Sequence, residues 1–495
     1  MRWLQKVSLL SVLSLLSGLL GVRGETTALS VTEDSDLTAA LEEALKLQEE
    51  GKDVTVTLAP GTYRNPLRLV GKTGSPRVPP GKLRVRAQIP GSVFFSEGIP
   101  LRDWVGDTFR TYRHALTWDS KNDRRHFLFL EGAWLSQEWV RERLDPWEYW
   151  ISREETALVL AVPQGVEGSP GGVVVASRNP EATLLIKSVS NLTLEGLIFE
   201  YDFGSEGAIG YSTPQIVDSR QVRFRDCFFL RNQVGLRVLN SSQIAFHNCR
   251  FQFSAEQGLL LSGCSDVELT NATLTHNNHL EPEAGPRLAF GYALVVRNLS
   301  ENLTVKRSRI SDNPAGLFIQ DSLGAQVFLE DLVVGYHQDF GISIVGGDPD
   351  LSLTRSRIGR NGEAGIYLDI PGGRNSSSGT LKIEESIFFT ERGGPLLTLE
   401  NGRTMLNASI LESRDPHRGL FTLGTGASFR GRGNLYFHSE NEETAFNGYS
   451  FSEWRTDPTR EKGGVFADPL FLDTEALDFD LSFESPWFQR GTKQE

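Results

Sequence analysis

Residues 219–278 read SRQVRFRDCFFLRNQVGLRVLNSSQIAFHNCRFQFSAEQGLLLSGCSDVELTNATLTHNN. Cut after Asn240 and Gly263, the stretch falls into three copies of one template. Each copy has apolar residues at i and i+2, a small residue or Cys at i+5, an apolar residue at i+7 and a polar turn residue at i+10. Here these are Val222/Phe224/Cys227/Phe229, Ile244/Phe246/Cys249/Phe251 and Val267/Leu269/Ala272/Leu274. Outward from this core the template recurs, before it at Leu192/Leu194/Leu197/Phe199. After it come Leu303/Val305/Ser308/Ile310, Val327/Leu329/Leu332/Val334, Leu351/Leu353/Ser356/Ile358 and Leu381/Ile383/Ser386/Phe388, with a weaker copy at Met405/Ala408/Ile410. Successive starts are 30, 22, 23, 36, 24, 24 and 30 residues apart, so the base period is 22–24 with three expanded coils.

Period-2 alternation in short runs means strands with one inward face, and a constant coil length stacks equivalent side chains. The i+10 slot holds Asp202, Asn232, Ser254, Asn277, Asn313, His337, Asn361 and Glu391. Four asparagines in eight slots predict an amide ladder that satisfies turn backbone groups. Gly235, Gly258, Gly291, Gly316, Gly341 and Gly365 then open the next strand. Cys227 and Cys249 share one inward slot and are expected to stack as free thiols, because parallel Cβ vectors one strand spacing apart exceed disulfide geometry; Cys264 has no partner by pattern. The fold read from the chain is a right-handed three-sided parallel β-helix.

The chain resembles the pectate-lyase-like right-handed β-helix superfamily of polysaccharide lyases, glycoside hydrolases, pectin esterases, alginate epimerases and non-catalytic adhesins. Three stretches carry the likeness: an amphipathic helix leading into DVTVTLAPGTYR (residues 36–64), the repeats over 185–425, and GGVFADPLFLDTEALDFDLSFESPWFQRG (463–491). The expected organisation is a signal peptide at 1–24, a capping helix and first coils at 25–100, an inserted Trp-rich β subdomain at 101–180, repeats at 181–430 and a C-terminal cap at 431–495. Six of nine tryptophans lie between Trp104 and Trp150; they form either that subdomain's core or a sugar-stacking wall.

Basic Arg2 and Lys6, the apolar run Val7–Leu20 and a small-residue site before Glu25 have the layout of a secretory signal. The expected location is secreted or periplasmic, with no later membrane span. Net charge is −13, from 50 Lys+Arg against 63 Asp+Glu. Such a surface argues against general nucleic-acid or anionic-membrane binding. No phosphate-binding loop, dinucleotide fingerprint or zinc-finger spacing occurs.

The resemblance implies a substrate groove beside the strands that follow the glycines. Alternation puts Leu236, Val238, Leu259 and Leu261 inward, and Arg237, Leu260, Phe318, Gln320, Ser343, Tyr367 and Asp369 outward. The turn before these strands carries Glu256, Asp312, His337, Asp339 and Glu363, and expands in one coil to HNNHLEPEAGPRLAF (276–290). Glycoside hydrolysis needs two carboxylates ~5–9.5 Å apart, and coils ~4.8 Å apart supply that spacing. The candidate catalytic residues are therefore Asp312, Asp339, Glu281, Glu283 and His337, with Arg237, Tyr367, His279 and Glu256 as substrate contacts. Acids in solvated turns also serve as plain surface.

His276, His279, Glu281 and Glu283 are spaced loosely for a metal; no cofactor is expected, with calcium or another metal left open. Asp415-Pro416-His417 resembles a fragment of the mannuronan epimerase motif, but Arg418 stands where that family carries Asp. The three-aspartate set of polygalacturonases and the Trp-Ile-Asp-His strand of pectate lyases are missing. These observations favour a glycoside hydrolase-like protein acting on a neutral or mixed polysaccharide or oligosaccharide. A non-catalytic glycan-binding or cell-surface β-helix, or a lyase or epimerase, is the alternative. Oligomeric state is not legible.

Overall fold

The computed structural model describes residues 26–489, apart from 73–78, 109–110, 116–126, 131–132, 138–145, 147, 153–156, 163–171, 177–181, 204–212, 278–290, 371–378, 392, 440–444, 458–459, 472–479 and 483. The signal-like segment therefore lies outside the described residues.

Each coil of the repeat contributes strands to a parallel stack whose register follows the template. Leu236 pairs with Leu259 and Val238 with Leu261, Ile244 with Val267, and Phe229 with Phe251. Strands of two faces merge into one 23-stranded set, and the third face forms a 13-stranded set. Leu236, Val238, Leu259 and Leu261 are buried in the single core that runs along the stack. Within it, Tyr63, Phe95, Phe199, Phe229 and Phe251 stack at centroid spacings of 5.5, 5.3, 5.3 and 5.0 Å. In-register pairing places the rings one above another, whatever the length of chain between the strands.

Three side-chain ladders hold the turns. Asn277 Oδ1 accepts from Ser254 N (3.1 Å) and its Nδ2 donates to Phe251 O (3.0 Å). Asn313 repeats the pattern with Asn277 N (2.8 Å) and Leu274 O (3.1 Å). A serine ladder runs at i+5: Ser386 Oγ accepts from Ser356 N (3.1 Å) and Ser409 Oγ from Ser386 N (3.2 Å). Ser219 and Ser241 form the third, between the strands of the larger set. The cysteines occupy serine slots. Cys227 Sγ donates to Arg225 O (3.3 Å) and Cys249 Sγ to His247 O (3.5 Å), as Ser308 Oγ does to Lys306 O (2.8 Å). All three cysteines are free and buried. The glycines that open strands are demanded by these ladders: a Cβ on Gly316 would stand 2.2 Å from Gly341 O and 2.8 Å from His337 Nε2.

Two details differ from the template. Glu391 leaves the ladder and pairs with Arg360 at 3.2 Å. The weak copy near 405 is offset by one residue. Met405 and Ala408 were expected inside, whereas Thr404, Leu406, Ser409 and Leu411 are the buried residues. A register shift between Leu399 and Asn401 moves the strand by one position, which exchanges its faces.

The helix Leu37–Glu49 starts at Asp36, whose carboxylate accepts from Ala39 N, and buries Leu37, Leu41, Ala44 and Gln48 against the first coils. Val93–Ser96 pairs directly with Leu197–Glu200 and Leu67–Val70 with Leu184–Lys187, so the strands from Ile99–Pro100 to Val173–Ala176 stand outside the stack. There, strands that are antiparallel except for the Ser136–Gln137 pairing build a four-stranded and a five-stranded sheet around Leu101, Trp104, Leu128, Leu135, Tyr149, Leu158, Leu160 and Val173. Its Phe129 packs on Tyr201, Phe203 and Ala255 of the stack. At the other end, Phe421, Phe446 and Trp454 close the core.

Candidate functional site

The turn leading into the post-glycine strands has a fixed shape. Tyr201, Arg231, Phe253, His276, Asp312, Tyr336 and Arg360 hold φ between 56° and 59°. This left-handed residue precedes the buried ladder residue, and its side chain points outward onto a second stack. Arg231 lies 5.6 Å from the Tyr201 ring and 5.9 Å from that of Phe253, Phe253 stacks on His276 at 5.2 Å, and Arg360 covers Tyr336 at 5.5 Å. Asp312 belongs to this row, accepting the Ser311 hydroxyl at 2.6 Å.

Two residues beyond the ladder the chain turns onto the outer face of the strands. The Glu363 amide donates to the Asp339 carbonyl at 3.0 Å, so these acids sit on the same turn one coil apart. Beneath them lies a floor of outward side chains in register: Val295, Phe318, Ser343 and Tyr367. Tyr292 stacks on Phe318 at 4.7 Å and Phe340 meets Tyr367 at 5.1 Å. Burial pushes the Tyr292 phenol up; a hydrogen bond with Ser343 opposes this, and the Asp339 and Tyr367 oxygens add to it. Tyr367 is likewise raised, by burial and then by Asp369 and Glu400. Asp369 in turn accepts from Asn401 Nδ2 at 2.8 Å. Carboxylates, phenols and a hydroxyl thus converge beside the half-buried rings of Phe340 and Tyr367 on one face. Tyr292, Val295, Ala315 and Phe318 form an apolar cluster there, separate from the inner core, with Leu260 and Val345 packed against it.

A family model, right handed beta helix region, matches residues 174–327. A solved structure described as a glycoside hydrolase superposes with a TM-score of 0.52 at 10% identity, covering 87% of this chain and all of the other. The chain has the right-handed parallel β-helix fold. A second structure of the same fold, XylC in complex with xylose, has a TM-score of 0.50 at 9% identity and covers 90% of this chain and 87% of the other. No curated protein matches the chain in sequence.

Within this fold, the sequence-derived candidates separate. Asp339 and Tyr367 meet on the outer face, as described. Arg237 is also outward, one coil from Gln215. Glu256 sits on the equivalent turn further back, where its carboxylate accepts from Gln233 Nε2 at 2.8 Å. Asp312 faces its own row, with the buried ladder between it and Asp339. His337 is a ladder residue and not a groove residue. It is buried, with Nδ1 3.0 Å from Asn313 O and Nε2 3.2 Å from Ile310 O, and burial pulls its pKa down to about 4. A neutral ring donates to only one of those carbonyls, yet desolvation outweighs the second contact. Placing it at catalysis mistook the amide slot for a turn surface.

His279, Glu281 and Glu283 lie outside the described residues, while His276 is stacked on Phe253. Among the described residues no group of three His, Cys, Asp or Glu is placed to hold a metal. Asp415 of the Asp-Pro-His segment is a turn former: burial pushes its carboxyl up, but the amides of His417 and Gly393, each donating at 2.9 Å, outweigh that and hold it below the usual range. Trp104 lies in the inserted subdomain's core.

Sequence reasoning missed Tyr292 and Glu400. Strict alternation puts Tyr292 on the same side as Leu294, yet it belongs to the outer cluster while both Ala293 and Leu294 face the core. The irregular strand start after the longest interval of the repeat was the available signal.

Proposed function

We propose that the protein is a secreted glycan-processing β-helix, a glycoside hydrolase-like enzyme that binds its substrate along the outer face of the post-glycine strands. The observation that carries this reading is the convergence of Asp339, Tyr292, Ser343 and Tyr367 beneath the Asp339–Glu363 turn. Acids on neighbouring coils, about 4.8 Å apart in backbone, give two carboxyl groups a separation suited to acid–base or nucleophilic attack at a glycosidic bond. Asp339, next to the buried Tyr292 phenol, and Glu363, on the exposed edge, take these two roles. Tyr367 and Phe340 present ring edges to the sugar, and Arg237 and Glu256 contact units further along the stack. Glu281 and Glu283 remain candidates from the sequence alone, whereas Asp312 is set apart from Asp339 and Glu363 by the ladder. Export follows from the signal-like first 24 residues, and the amino-terminal sequence of the exported protein tests it.

The catalytic reading is tested by mass spectrometry of products from a panel of plant, algal and animal glycans. Fragments heavier by one water are expected from the wild type, with at least a hundredfold loss in Asp339→Asn and Glu363→Gln. Unsaturated fragments would mean a lyase. A second reading, a non-catalytic glycan-binding protein, is favoured by the apolar floor of Leu260, Val295 and Phe318. It requires retention of a glycan that the wild type leaves intact.

A further inference from the structure

We infer that the end of this groove nearer the N-terminus is an anion subsite, built from Arg237, Arg297 and Gln215, that recognises a carboxylate or sulfate carried by the glycan. The inference rests on the glycan reading above and narrows its substrate to one that bears acidic groups.

The three residues project from the outer face of neighbouring coils. Gln215 pairs in register with Arg237. Arg297 follows two coils later and two residues further along its strand, as the pairings Arg237–Leu260 and Leu260–Val295 show. Their arginine Cα atoms are thus about 12 Å apart, from ~4.8 Å per coil and ~3.3 Å per residue. Each has a nitrogen cut off from solvent with no hydrogen-bond partner: Arg237 Nε, Arg297 Nε and Gln215 Nε2. Gln215 is only 1% exposed. Arg360 Nε is also unpartnered, but its guanidinium, like those of other half-buried arginines among the described residues, meets a carboxylate. Arg84 pairs with Glu195, Arg231 with Glu200, Arg360 with Glu391 and Arg460 with Asp457.

In a chain with 63 acids against 50 bases, carboxylates are plentiful, so two half-buried arginines with a desolvated Nε and no carboxylate partner among the described residues set this face apart. A desolvated donor without an acceptor costs free energy that a bound anion recovers. The guanidinium fork matches the two oxygens of a carboxylate or sulfate. Ser343, on the same outward row as Arg237, lies four coils further on, roughly 19 Å away. Arg297 lies nearer to it. An oligosaccharide spans that interval, so anion recognition at one end sets which bond reaches Asp339 at the other.

The test is binding of the full chain to an array in which every uronate-bearing glycan is paired with its carboxyl-reduced form and every sulfated glycan with its desulfated form. Retention of at least one acidic member, at least tenfold over its neutralised partner, is expected. Arg237→Gln and Arg297→Gln, which keep the methylene stem, should each weaken it ten- to a hundredfold without moving the thermal midpoint. Whether carboxyl reduction or desulfation abolishes binding identifies the anion. Equal retention of charged and neutralised members, or arginine variants that bind as tightly as the wild type, overturns the subsite and leaves the glycan reading standing. No retention of any glycan overturns both.

Discussion

Two buried titratable residues, His337 and Asp202, stand in the amide ladder in place of asparagine, and each makes stability depend on pH in its own direction. His337 is held neutral by burial, with a folded pKa of about 4 against ~6.5 when unfolded. Its contribution is complete above the unfolded value and is lost as pH falls through that interval, because the unfolded chain takes up the proton first. Asp202 is the reverse. Burial raises its carboxyl to about 8, despite hydrogen bonds from Thr183 N and Thr183 Oγ1 at 2.6 and 2.9 Å. The folded state therefore keeps a proton that the unfolded chain releases near pH 4, and stability declines as pH rises from there to about 8. Asparagine fits both slots, since its amide makes the acceptor and donor contacts seen at Asn277 and Asn313. His337→Asn should raise the thermal midpoint by a few degrees at pH 4.5 and leave it nearly unchanged at pH 8. Asp202→Asn should raise it at pH 8 and do little at pH 4.5. Midpoints of both variants across this range check the signs.

At the scale of the element, stability comes from repetition of equivalent contacts. Phe229 sits inside the aromatic column, between Phe199 and Phe251, and meets Phe224 edge-on at 5.7 Å. Phe229→Ala leaves a void that rings fixed on both sides cannot close, and should cost about 3–5 kcal/mol by urea unfolding. Ser386→Ala removes the acceptor of the buried Ser356 amide and should cost about 1–3 kcal/mol. The same slots explain the cysteines. A thiol in the serine position donates to the carbonyl two residues back, and all three cysteines are free and buried.

Over the whole molecule, a coil touches only its neighbours, so both ends of the core must be covered. The helix Leu37–Glu49 covers one end. At the other, Trp454 stacks on Phe421 at 5.8 Å, and Phe446 and Phe451 pack over Tyr436. Deleting residues 445–495 uncovers Phe421, Phe429 and Tyr436 and should give a chain that elutes as aggregate in size-exclusion chromatography, where the full chain does not. Groove substitutions lie outside this core, so Glu363→Gln should abolish turnover while the unfolding midpoint stays within a degree or two.

The β-helix, its inward faces, the amide ladder and the free thiols were all legible in the residues. Each follows from a period of two within a strand and of 22–24 between coils, and such periods are local properties of a chain. The outward positions of Arg237, Phe318, Ser343 and Tyr367 followed from the same alternation. Tertiary structure alone decided what the alternation could not count. The irregular start of the Tyr292 strand turned that ring outward, the register shift beyond Leu399 exchanged Met405 for Leu406, and the depth of the turn buried His337 while leaving Glu363 in solvent. Carboxylates far apart in sequence share a face only through coil stacking, and a guanidinium's want of a partner is visible only when every neighbour has been placed. Periodicity determines which way a side chain points; what it meets there is set by chain segments that arrive from elsewhere.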